Sequence, residues 1–226
     1  MIESFENAFQ LIVAGGCLIY SAIKAISNRN RVWILLLFFY AEIFLGNLYW
    51  QLYLIFFNMS PIYSFVSGFC WDVSFAFMLL LVRYYSKGSI SIKKDPLLLV
   101  IPVFTAAMAV MFMQWGDIAE NIVTAVLMAA LILRCVVGLK EIAGKGAYAP
   151  AGKTGIYEAD RSPAYLYRAI LCFCTANYLS WIASTFFFEE SITNPYYWFD
   201  TAITISLVFF IPALNRCDKS IKETVE

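Results

Sequence analysis

Apolar residues gather along the chain into seven runs separated by polar segments: residues 8–26, 32–57, 62–85, 97–115, 118–137, 166–187 and 196–214. A helix needs ~20 mostly apolar residues to cross a bilayer core of ~30 Å, and each run has about that length. The pattern predicts an all-α, polytopic membrane protein with seven transmembrane helices. The links leave no room for a separate soluble domain, so residues 1–226 are expected to form a single seven-helix transmembrane domain. The longest link, 138–164, carries glycine, proline and mixed charge and reads as a loop.

Composition agrees with this reading and narrows the chemistry. Of 226 residues, 62% are hydrophobic and 14% charged, against roughly 45–50% and 25% in soluble domains. Histidine is absent, which removes Ser-His and Cys-His nucleophile pairs, HExxH zinc sites and imidazole relays. No cofactor or metal is implied, and a formal net charge of zero gives no ground for a nucleic-acid partner. The expected partners are membrane lipids and a small polar or amphipathic ligand, with homo-oligomerisation left open. All six cysteines fall within runs or on one side of them, so no disulfide framework is expected. Cys172 and Cys174, about 200° apart on a helix, do not make a local metal pair.

Charge then gives the runs a direction. With the N-terminus outside, all sixteen lysines and arginines fall in inner segments or the inner ends of helices. The outer segments hold only acids: Glu3, Glu6, Asp117, Glu120, Glu189 and Glu190. The positive-inside rule therefore predicts N-outside and C-inside, with the basic loops on the cytoplasmic side of a cell or organelle membrane. The first run is preceded by acids rather than a basic segment, so it is expected to be a retained helix and not a signal peptide.

Three acids remain inside the runs: Glu42, Asp72 and Asp200. An ionised carboxylate at the bilayer centre costs on the order of 3 kcal/mol, so such residues face a bundle interior or a watery cavity and mark function. Polar and aromatic neighbours recur around them at helical spacing. Asn47, Trp50 and Gln51 share a face of the second run, Ser64, Ser67, Trp71 and Ser74 one of the third, and Asn177, Trp181 and Ser184 one of the sixth. The fourth run has little that is polar and reads as a linker. Asparagine and serine also serve as plain helix–helix glue, and tryptophan as interfacial belt.

The order of these residues recurs. Asn47, Trp50 and Trp71-Asp72 in the first half match Asn177, Trp181 and Trp198-Phe199-Asp200 in the second, with Asn-to-Asp separations of 25 and 23. A parallel 3+1+3 repeat, with halves 1–96 and 116–226 joined by a linker helix at 97–115, accounts for that order. On these residues the chain resembles the SWEET sugar carriers and the related seven-helix nicotinamide riboside carriers. The resemblance implies that Trp50 and Trp181 are stacking platforms and that Asp72 and Asp200 are the polar pair, where the sugar carriers have asparagines. Neither the Pro-Gln dipeptide nor the hinge prolines of that family are present.

A small-solute carrier is thus the leading expectation. Its central aromatic and carboxylate site would use Trp50, Trp181, Asp72, Asp200, Asn47, Asn177 and Gln51, with Glu42 as the proton-coupling group. A second resemblance gives the alternative. Asn47-x-x-Trp50-Gln51 followed by Gly68-Phe69-x-x-Asp72 is similar to helices 2 and 3 of integral-membrane terpene cyclases. That likeness implies an enzyme protonating an isoprenoid with a membrane carboxylic acid, here Asp72, Glu42 or Asp200, although Gln51 stands where those enzymes have Glu. A seven-helix receptor or assembly subunit is the third reading. A retinal protein is excluded, because every lysine lies in an inner segment.

Overall fold

The computed structural model describes residues 2–59, 61, 65–86, 95–113, 118–147 and 162–225, with side chains except those of 65, 144–147 and 219–225. Among these residues the chain is helical and has no strand. The elements are α1 (Ile2–Asn28), α2 (Arg31–Phe57), α3 (Phe65–Tyr85), a 3-10 turn (Pro96–Leu99) running into α4 (Val100–Phe112), α5 (Ile118–Ala147), α6 (Ser162–Phe186) and α7 (Pro195–Val225). All but α4 contain segments of 20 to 27 residues long and apolar enough to cross a membrane. The remaining apolar helix, Pro96–Phe112, is about 27 Å long at 3-10 and α-helical rises, just short of the ~30 Å core. In place of the seven expected spans, the described residues hold six long apolar helices and a shorter one, the build of an integral membrane protein.

Three boundaries differ most from the apolar pattern. Helix α1 begins at Ile2, not at residue 8, with Glu3 in its first turn, where a carboxylate suits the positive end of the helix dipole. Helix α5 continues to Ala147, so the first ten residues of the expected loop are helical. Gly138 breaks the apolar run because it is a contact point and not an end: a Cβ there would lie 2.4 Å from the Tyr167 ring of α6. Beyond it Leu139 and Ile142 still pack on the core. Helix α7 likewise runs past residue 214, since Cys217 and Asp218 are buried against the bundle. Residues 148–161 of the expected loop lie outside the described residues, as does Ser64, and the loop's last three residues, 162–164, open α6.

Short polar caps set the turns. Asn30 accepts a hydrogen bond from the Val32 N–H at 3.2 Å and starts α2 only two residues after α1 ends. Asn58 ends α2 with φ 51°, a left-handed conformation that asparagine tolerates, and its N–H donates to the Leu54 carbonyl. Asn194 caps α7 through the Tyr196 N–H at 2.9 Å, with Pro195 at the first helical position.

The long helices close a ring: α1 packs on α2, α2 on α3, α3 on α5, α5 on α6, α6 on α7, and α7 back on α1. Helix α4 packs on α5 and reaches over α6, with Phe104 against Tyr178 and Phe112 against Trp181. Helix α1 shows how lipid inverts the usual pattern. Its buried stripe is Glu6, Gln10, Ala14, Cys17, Ser21 and Ala25, all small or polar. Its bulky Phe5, Ile12, Ile19 and Ile26 are more than 60% exposed. In a bilayer apolar bulk gains nothing by turning inward, and small residues let helix backbones approach.

Candidate functional site

A cavity of about 240 Å³ lies inside the ring and takes lining from all six of its helices. It occupies the end of the bundle that carries the α1 N-terminus and the α6–α7 link. Helix α1 supplies Asn7 and Gln10, and α5 supplies Glu120 and Thr124. Asn47 and Trp50 come from α2, Asn177 and Trp181 from α6, and Asp200 and Tyr196 from α7. Helix α3 lines it with Ser67, Gly68, Trp71 and Phe75, one face at helical spacing. Its floor is aromatic: Phe75 and Trp71 lie 6.0 and 6.4 Å from Phe173, which meets Phe39 and Phe210 at 5.9 and 5.5 Å. Phe39, Phe75, Phe173 and Phe210 are all fully buried, so the cavity stops there.

Two glycines let the wall form. Gly46 brings α2 onto α3, where a Cβ would sit 3.2 Å from Cys70 Cβ. Gly68 leaves room for the Glu120 carboxylate of α5: a Cβ there would collide with it at 1.7 Å. Several side chains of the wall are already bonded, and one sealed donor among the described residues is not. Trp50 Nε1 donates to Glu3 at 3.0 Å, and Asn177 Nδ2 to the Phe173 carbonyl one turn earlier at 2.8 Å. Gln10 Nε2 donates to Thr204 at 3.1 Å across the α1–α7 joint. The Asn47 amide, only 4% exposed, has no partner for its Nδ2. A buried, unpaired N–H₂ costs about 1–3 kcal/mol, so it stands out as a donor without a partner beside the cavity.

Five residues expected from the sequence therefore line one cavity: Asn47, Trp50, Asn177, Trp181 and Asp200. Asp72, Gln51 and Glu42 are not among the lining residues. Asp72 lies one residue, hence about 100°, beyond Trp71 on α3 and accepts a hydrogen bond from Thr124 of α5. Gln51 donates to Ser4 of α1 at 3.3 Å. Glu42 faces the Cys70 thiol on the α2–α3 joint. The tryptophans following the repeat also part company, since Trp71 lines the cavity while Trp198 is exposed and donates to the Ile192 carbonyl.

Glu6, Gln10, Glu120 and Thr124 are not among the site residues expected from the sequence. The charge pattern puts Glu6 and Glu120 among the outer-side acids, yet Glu6 is buried on α1 and Glu120 lines the cavity. The signal was the small and polar stripe at three- and four-residue spacing along α1, which points inward in lipid. A second, smaller cavity of about 160 Å³ lies between α4, α5 and α6 and shares Glu120, Thr124 and Trp181 with the first. All six cysteines are free thiols, with Cys172 exposed and Cys174 buried, as their angular separation requires. Comparison with protein-family models, with curated proteins and with solved structures finds nothing that matches this chain.

Proposed function

We propose that this protein is a membrane carrier for a small polar solute bearing a flat ring, bound in the cavity between α1–α3 and α5–α7. The observation that carries the reading is the unpaired, buried Asn47 amide in a cavity wall that also bears Trp50, Trp181 and Asp200. An amide donor, a carboxyl acceptor and two indole faces make a site for a hydroxylated or amide-bearing ring. Binding of such a solute supplies the partner that Asn47 lacks.

In this proposal the chain crosses the membrane seven times, Pro96–Phe112 serving as the linking span, with the N-terminus outside and the basic loops in the cytoplasm. The charge distribution supports that direction. The adjacency of the helices supports a 3+1+3 arrangement: exchanging α1, α2 and α3 with α5, α6 and α7 maps the α3–α5 joint onto the α7–α1 joint. The resemblance to SWEET-type carriers belongs to the same proposal.

Uptake of labelled sugars, nucleosides and vitamins into proteoliposomes tests it. Trp181→Ala and Asn47→Ala are expected to lower uptake of the accepted solute at least about tenfold, the equivalent of one lost hydrogen bond or stacking contact. Unchanged uptake in both variants overturns the site.

One observation favours the enzyme reading as the second. Asp72 is hydrogen-bonded to Thr124, a residue shared by both cavities, and the adjoining cavity between α4, α5 and α6 is lined by Met108, Phe112 and Tyr178. An isoprenoid held there would have an acid and aromatic faces nearby. Isomeric products from prenylated substrates, without flux, decide for it.

A further inference from the structure

Glu6 of α1 is 6% exposed, and both of its carboxylate oxygens are sealed from solvent without an N–H or hydroxyl donor among the described residues. The group opposite is another carboxyl, that of Asp200 on α7, within hydrogen-bonding reach. Ionised carboxylates only accept hydrogen bonds, so this contact holds when one of the two carries a proton. Two donors nearby are engaged elsewhere: Gln10 gives an amide N–H to Thr204, and Thr204 gives its hydroxyl to the Asp200 carbonyl.

The other titratable groups acting on the pair are acids and phenols. On α1 this is Glu3, and on α7 Tyr196 and Tyr197, the latter also under the field of Glu190 in the α6–α7 link. Helix α2, packed on the other side of α1, turns Trp50 to Glu3 and Gln51 to Ser4, while its carboxylate, Glu42, faces Cys70. Among the described residues no lysine or arginine acts on Glu6 or Asp200. Among the described residues, then, nothing positive compensates the pair, and a proton fills that place.

We propose that Glu6 and Asp200 hold one proton jointly and are the proton-binding site of the cavity. The inference deepens the carrier reading and rests on it for a role in transport. With the proton in place the pair carries one negative charge. Its release to cavity water through Asp200, which lines the cavity, leaves two like charges facing each other. That repulsion falls on the α1–α7 joint, one of the two joints between the helix triplets. Proton loss and solute binding thus meet at Asp200, whereas Glu42 is off the cavity lining.

Infrared difference spectroscopy of the purified protein during a pH titration tests the pair without any solute. The expected result is a carboxylic-acid C=O band in the wild type that titrates and is lost from both Glu6→Gln and Asp200→Asn. Carboxyl-retaining Glu6→Asp and Asp200→Glu are expected to keep it at a shifted frequency, which separates loss of the site from loss of the fold. Each amide variant removing only a band of its own, or neither removing one, overturns the shared proton. Removal of the band by sodium at constant pH overturns it in favour of a metal-cation site. Because no solute is present, a failed uptake screen leaves a positive result standing, and a missing band leaves the uptake result untouched.

Discussion

The Asn30 side-chain amide donates to the Asp218 carboxylate at 2.9 Å, joining the α1–α2 turn to the far end of α7. Asn28 donates to the same carboxylate at 3.2 Å and Trp33 Nε1 at 3.4 Å. One buried acid thus gathers three donors at the end of the bundle opposite the cavity. Asp218→Ala leaves those donors unpaired and is expected to destabilise the protein by roughly 2–3 kcal/mol. Thermal unfolding in detergent reads this as a fall of several degrees, and a melting temperature equal to the wild type's contradicts it.

Stability and function should part at Asn47. Replacing a buried, unpaired amide by an apolar side chain of similar size removes its desolvation cost of about 1–3 kcal/mol. Asn47→Leu is therefore expected to raise the melting temperature while abolishing uptake of the accepted solute, a trade found where a site is held unsatisfied for its ligand. A lower melting temperature with normal uptake would mean that the amide is structural glue.

At Gly138 the opposite face of the fold is tested. A methyl group there meets the Tyr167 ring, itself buried, so Gly138→Ala is expected to cost about 1–3 kcal/mol by overpacking. Tyr167→Leu in the same chain gives the methyl room, and recovery of the melting temperature in the double variant checks the assignment.

Gly68 makes a different kind of contact. The atom its new methyl would strike is the mobile end of Glu120, so Gly68→Ala turns that side chain rather than splitting the helices. Unfolding should shift by less than about 1 kcal/mol, while uptake falls because Glu120 swings within the cavity lining.

Thiol chemistry reads the lipid-facing surface. Cys172 is exposed and the other five cysteines are buried. A membrane-permeant maleimide is expected to modify the native protein mainly at Cys172, and all six positions after unfolding. Fast native labelling of Cys174, or protection of Cys172, contradicts the packing of α6.

Much of the helix framework was legible in the chain because a bilayer demands long apolar helices whatever they pack against. That demand located all the long helices, the shorter one and the wall residues of α2 and α6, whose tryptophans and asparagines stand out in an apolar run. It did not say where helices stop: Gly138 looks like a break in sequence and is a close approach in space. Nor did it say which neighbour faces the cavity, since Trp71 and Asp72 differ by one residue and turn to different partners.

The sequence by itself determined an all-helical, apolar chain with its basic charge in alternate segments, because hydrophobic length and charge are local properties. Only the tertiary structure decided which polar groups meet. Glu6 read as an outer-surface acid until α1 closed the ring against α7, and its partner Asp200 lies almost the whole chain away. A pairing of that kind depends on the rotation of two helices about their own axes. That rotation is fixed by packing all along α1, where small residues turn inward and bulky ones face outward.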